Sequence, residues 1–202
     1  MKTLLHVGCG NQNKSDLFGF NNDKWKEIRL DIDKKVNPDI VGSLIDMKSV
    51  ETGSVDAVYS SHNIEHIFPH EVRKALREFY RVLKNNGIVI ITCPDIQSVG
   101  EAVAQDKLHE TLYESPIGPV TAFDILYGHR KTTSDGNIFM IHKGGFTYST
   151  LDRALYDAGF ETRCGARRTE AFDLYLVAFK QKKSDEEIKK IVKPFNPLLQ
   201  FE

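Results

Sequence analysis

The stretch Thr3-Leu4-Leu5-His6-Val7-Gly8-Cys9-Gly10-Asn11 decides how this chain folds. A short apolar run stops dead at two glycines, which reads as a buried strand entering a tight turn. Gly8 and Gly10 let the backbone bend sharply and aim its amides past the strand end. A second run, Glu27 to Ile32, follows after about twenty residues and ends in Asp31-Ile32-Asp33. That separation suits a nucleoside-binding unit of two parallel strands and leaves room between them for only a short helix.

Outward from this unit the pattern continues. Asp39 to Val41 and Ser54 to Ser60 read as third and fourth strands. From His70 to Lys84 the apolar residues Val72, Leu76, Phe79, Tyr80 and Leu83 form one helical stripe, and Asn85-Asn86-Gly87 is expected to stop it with a left-handed glycine. Ile88 to Thr92 is apolar without alternation, as in a central strand covered on both faces. Residues 94–146 break every period with prolines and six glycines and read as an insertion or lid with one helix near Ile96–Leu108. Ser149 with Asp152 marks the start of a last core helix, carried by Leu151, Ala154, Leu155 and Ala158 and ended by Gly159. Phe172 to Lys180 alternates as a final strand.

The expectation is an α/β fold with a doubly wound, mostly parallel sheet over residues 1–180, interrupted after its fifth strand by the insertion. Residues 181–202 form a charged extension in which Ser184 and Glu187 make a capping box. Its apolar end (Pro194, Phe195, Pro197, Leu198, Leu199, Phe201) either packs back on the domain or meets a partner subunit, so a homo-oligomer stays open.

Composition narrows the function. At 202 residues, 41% hydrophobic and net charge −1, the chain lacks the basic surplus that bulk nucleic acid requires, although Arg163, Arg167 and Arg168 cluster. Three cysteines, Cys9, Cys93 and Cys164, form neither a disulfide framework nor a metal motif. No signal peptide is apparent, and no run nears the roughly 20 apolar residues of a membrane span. A cytoplasmic setting is the expectation.

In parallel sheets ligands bind beyond the carboxyl ends of the strands. That rule gathers Gly8–Asn11, Asp31, Ser43 and Ser60–His62 around one crevice, with Asp31 placed to accept two vicinal ribose hydroxyls. The segments HVGCG at 6–10, RLDID at 29–33, SVDAVYSSHNIEHI at 54–67 and REFYRVLKNNGIVIITCPD at 77–95 together resemble class I methyltransferases, in their usual order. The likeness is greatest to a small branch with an SSHxxEH stretch and a later HKxGFT-like stretch, here His142 to Thr147, and covers roughly residues 3–180. It implies a Rossmann-like methyltransferase fold with S-adenosylmethionine as cofactor. By the resemblance, Gly8, Cys9, Gly10 and Asn11 lie along the methionine part, Asp31 holds the ribose, and Ile32 lies against the adenine. Ser60 and Ser61 then offer backbone groups to the amino end. Three positions depart from the pattern. His6 stands for an acidic residue and Gln12 for a third glycine. The adenine edge, often read by aspartate, falls to Ser43, with Leu44 next and Asp46 three residues on.

Methyl transfer from a sulfonium is an in-line displacement, helped by a general base when the acceptor is a hydroxyl or a protonated amine. His62, directly after the fourth strand, is the first candidate base and His142 the second. Tyr127, His129 and Arg130 either bind an anionic or sugar acceptor or stitch the insertion to the sheet. No NPPY-like motif follows the fourth strand, which weighs against amide or exocyclic base nitrogens. The expected acceptor is a small molecule or a saccharide-like compound. Two rival readings remain. One is a non-catalytic scaffold that kept the cofactor fold. The other is a zinc hydrolase using His62-Asn63-Ile64-Glu65-His66 as an HxxEH motif, which needs a helix through that stretch and a third ligand. Neither a third ligand nor a metal set is assigned from the sequence; Glu65 and His66 read as tying down the loop after the fourth strand.

Overall fold

The structure, a computed structural model, describes residues 1–115 and 118–196. Its seven-stranded sheet contains β1 (Lys2–Val7), β2 (Trp25–Asp31), β3 (Ile40–Val41), β4 (Val55–Ser61) and β5 (Leu83–Pro94), all parallel. A hairpin of β6 (Thr111–Ser115) and β7 (Gly118–Thr121) stands apart, and β8 (Thr162–Arg168) and β9 (Asp173–Phe179) complete the main sheet. The strand order is β3-β2-β1-β4-β5-β9-β8, with β9 antiparallel to both neighbours. This is the expected doubly wound, mostly parallel sheet.

The helices are α1 (Pro69–Val82), α2 (Ile96–Ala104), α3 (Ala122–Tyr127), α4 (Arg130–Ser134), α5 (Tyr148–Ala158) and α6 (Asp185–Val192). Successive strand residues face opposite ways, so Leu5 and Val7 meet α1 and α5 on one side, while Leu4, Phe20 and Trp25 share the other with Ile188 and Val192 of α6. The segments joining β1 to β2 and β2 to β3 form only 3₁₀ turns, Lys14–Asp16 and Lys34–Val36. Loop residues Leu17 and Phe20 and helix α6 supply the cover that longer crossover helices would give. Phe195 packs back on Phe20 and Trp25, whereas Pro197, Leu198, Leu199 and Phe201 lie outside the described residues.

Several expectations change. Gly87 stops no helix: α1 ends when buried Leu83 turns extended to pair with Val55, and Gly87 lies inside β5 without a positive φ. A side chain there would press on the Asp56 carbonyl at 3.2 Å, so close approach is what calls for glycine. α5 is capped by Thr147 and Thr150 rather than Ser149, and Gly159 ends it at φ +108°. β9 is buried throughout instead of half exposed, because both its faces are covered: Leu174, Leu176 and Ala178 join one apolar layer, and Tyr175, Val177 and Phe179 the other. The sequence reading had no β8. Its arginines are individually paired, Arg163 with Asp152, Arg167 with Asp95 and Arg168 with Asp173, so the basic cluster is neutralised. The segment after β5 holds more structure than its composition suggests: α2, α3, α4 and the β6–β7 hairpin, around Val99, Val120 and Ile125.

Candidate functional site

Two cavities flank the carboxyl ends of β1, β2 and β4. The first, about 290 Å³, is lined by Gly8, Gly10, Asp31, Ile32, Ser43 and Leu44, with His62, Asn63 and His66 on the opposite wall. The second, about 370 Å³, is walled by Gln12, Tyr59, Ser61, Thr92, Arg168 and Tyr175. Consecutive residues belong to the two, Ser61 to the second and His62 to the first.

The glycine loop is held from below. Gly8 and Gly10 adopt φ +67° and +52°, a left-handed conformation that side-chain-bearing residues avoid. The Gly10 amide donates to Asp31 Oδ2 at 2.8 Å, and the Asp33 amide donates to Oδ1 at 2.8 Å. The Asp31 carboxylate is thereby fixed at the cleft floor, with lone pairs to spare. Ile32, half exposed, offers an apolar face beside it. Arg29 staples the loop, donating to the carbonyls of Gly10 at 2.6 Å and Gln12 at 3.0 Å. Buried His6 lies 2.9 Å from Glu27, whose other oxygen accepts the Lys14 amide, so β2 supplies the acid that the first loop lacks. Burial draws His6 below its ordinary pKa despite that partner.

Not all candidate residues reach the cleft. Asp46 pairs with Lys48 at 3.0 Å in a groove along α1, leaving Ser43 and Leu44 at the expected adenine edge. Cys9 is buried beneath the loop, where burial raises its thiol to about 11, and Asn11 is exposed outside the cleft lining. Ser60 is fully buried, and Ser61 turns to Thr92 at 2.7 Å. Asn63, which sequence reasoning passed over, fills the place beneath Gly8: a Cβ on that glycine would lie 2.3 Å from the Asn63 side chain. Arg29 was missed too; it lies in the quoted RLDID stretch, but only the folded loop shows what it holds.

His62 occupies a left-handed conformation, φ +46°, rare for a non-glycine residue. Its Nδ1 lies 3.5 Å from Glu65 and its Nε2 3.6 Å from Asp173. Burial alone would lower its pKa, but Asp173 and Glu65 outweigh that and push it up to about 9. A histidine so held keeps its proton at neutral pH instead of waiting as a free base. Burial pushes Glu65 up, yet His62, His66 and His142 prevail and hold it below its ordinary value. His142 is not in the lining of either cavity; it gives Nδ1 to the Ile125 carbonyl at 2.6 Å and packs edge-on against His66. Of the Tyr127, His129 and Arg130 group, Arg130 binds Asp124 at 2.8 Å and His129 binds Thr132 at 3.0 Å, both within the insertion. The HxxEH stretch forms only a 3₁₀ turn, Ile64–His66, so His62 and His66 are not paired on an α-helical face.

Residues 5–91 match the family profile described as a methyltransferase domain. Over these residues the chain is similar to methyltransferase domains. A glycine/sarcosine N-methyltransferase from Parasynechococcus marenigrum (strain WH8102) is 32% identical over 117 residues, 54% of this chain and 41% of that protein. The chain thus spans well under half the length of that curated relative. A solved protein from Pyrococcus horikoshii OT3 superposes with TM-score 0.61 at 14% identity, covering 89% of this chain and 82% of that one. A SAM-dependent methyltransferase from Archaeoglobus fulgidus gives 0.57 at 16% identity, covering 88% and 85%. At such identities the superpositions establish the fold. The cleft has a lining that a nucleoside cofactor would fit: among the described residues no atom outside the loop stands within 4 Å of where a Gly10 Cβ would be, and Asp31 and Ile32 present a carboxylate beside an apolar face.

Proposed function

We propose that the protein transfers the methyl group of S-adenosylmethionine to a small polar acceptor, of the size and hydroxyl content of a saccharide unit. The observation that carries this is that two consecutive residues at the end of β4, Ser61 and His62, line the two cavities. Gly8, Gly10, Asp31, Ile32, Ser43 and Leu44 would hold the cofactor, which supplies an electrophilic sulfonium methyl. Gln12, Tyr59, Thr92 and Tyr175 offer hydroxyl and amide groups to an acceptor. His62, between them, orients the acceptor atom by a hydrogen bond. Glycine and sarcosine, the acceptors named for the Parasynechococcus protein, are small enough for the same cavity and belong in the acceptor panel.

The scaffold reading rested on His6, Gln12 and Ser43. Each has a place here: His6 is paired with Glu27, the Gln12 carbonyl accepts from Arg29, and Ser43 lines the cleft. Calorimetric titration with S-adenosylmethionine and S-adenosylhomocysteine tests the proposal, alongside Asp31→Ala. Micromolar binding that Asp31→Ala weakens a hundredfold is expected, followed by turnover on a member of the panel. Folded protein that binds neither ligand would overturn it.

A further inference from the structure

We propose that Glu65, His66 and His142 form a site for a divalent transition-metal cation, zinc-like in its preferences, in the wall of the cofactor cleft. One potential ligand atom from each lies within 4.8 Å of the other two. Glu65 is fully buried, and among the described residues neither carboxylate oxygen has a hydrogen-bond partner. Its nearby His62 Nδ1, at 3.5 Å, is too far for a good hydrogen bond. Protonated His62 balances part of the charge from that distance, but both oxygens keep unfilled lone pairs that a ligated cation would complete.

The two imidazoles are already set for ligation. His66 gives Nδ1 to the Ile141 carbonyl at 3.2 Å, and His142 gives Nδ1 to the Ile125 carbonyl at 2.6 Å. A carbonyl only accepts, so Nδ1 carries the hydrogen in both rings and Nε2 keeps its lone pair. Metal-binding histidines are oriented in this way by an outer carbonyl or carboxylate. Two imidazoles and one carboxylate suit zinc and its neighbours better than magnesium or calcium, which prefer oxygen. Bonds of about 2.0–2.1 Å in a tetrahedron put ligand atoms roughly 3.4 Å apart, so ligation would draw the three side chains closer together.

This set differs from the one an HxxEH hydrolase would use. Glu65 ligates instead of activating water, and His62 stays outside. The third ligand arrives 76 residues after His66, where the insertion returns to the sheet. That return is anchored here in any case, because the Lys143 and Gly144 amides both donate to the Glu65 carbonyl, at 2.8 and 3.1 Å. Three protein ligands leave a fourth position open. If methyl transfer is accepted as proposed above, that position lies at the cofactor's cleft, since His66 lines it.

The test uses the full chain, stripped with chelator and titrated with cobalt(II) by visible absorption and with zinc by calorimetry. Glu65→Gln, His142→Ala and the control His109→Ala are compared, each checked by circular dichroism. One equivalent of cobalt with d–d bands is expected, with affinity reduced at least a hundredfold in Glu65→Gln and His142→Ala and unchanged in His109→Ala. Folded wild type that takes up no stoichiometric cation, or uptake that both variants retain, would overturn the site. Should Glu65→Gln not fold, half-buried His142 still decides. S-adenosylmethionine binding, measured separately, distinguishes failure of the metal site from failure of the methyl-transfer reading.

Discussion

Arg29 gives its guanidinium to four backbone carbonyls, those of Gly10, Gln12, Val36 and Asn37. It joins the glycine loop to the turn after β2 and so sets where the Gly10 amide meets Asp31. Charged hydrogen bonds of this kind are each worth about 1.5–3 kcal/mol where they are shielded, less where exposed. Arg29→Met is expected to leave the fold intact while weakening S-adenosylmethionine binding about tenfold, read by calorimetry beside a melting curve. For His62 the expected split is different. His62→Ala should lower kcat by about a hundredfold and leave cofactor affinity within a factor of about three, as steady-state kinetics and direct binding would show. His62 and Asp31 were visible in the sequence because strand ends and spacing point to them. Asn63 and Arg29 were not: their work is to fill space and to hold carbonyls, and neither task leaves a periodic or motif signature.

Among the elements, those built from apolar pattern were legible to within a few residues. β1, β2, β4, the buried core of β5, α1 and α5 all announce themselves through Leu, Ile, Val and Phe spacing. β8 did not, because Thr-Arg-Cys-Gly-Ala-Arg-Arg has the composition of a loop. It is a sheet edge, where charged side chains discourage pairing with other chains. The insertion was hidden for a related reason: its helices are short, and polar contacts secure them. Asp124 is the clearest case. Burial pushes its carboxyl up, but Arg130 and both the hydroxyl and amide of Thr121 prevail and hold it far below its ordinary value of 3.8. A carboxyl depressed on folding stabilises fully above that ordinary value and loses its contribution as pH falls below it toward the folded value. The insertion is therefore expected to loosen in acid below about pH 4, as hydrogen exchange in 118–134 would report. Asp124→Asn should cost about 1–3 kcal/mol at neutral pH, allowing for the half-exposed Arg130, and should flatten that acid dependence.

At the scale of the whole molecule the sheet is covered unequally. One face has two full helices, and the other relies on a loop, α6 and Phe195. Ile188→Ala, on the thinly covered face, is expected to cost about 2–4 kcal/mol in urea unfolding without changing cofactor affinity, because α6 lies away from the cleft residues. The order of the strands carries a further consequence, for the making of the chain. β5 ends at Pro94 and its neighbour β9 begins at Asp173, 79 residues later. At about 5–20 residues per second, a ribosome needs roughly 4–16 s to synthesise that interval. Throughout it the nascent sheet has an unsatisfied edge along its most apolar strand, Ile88 to Cys93. The newborn polypeptide thus passes through a sticky adolescence, in which a holdase chaperone has a defined stretch to shield and a defined moment to let go.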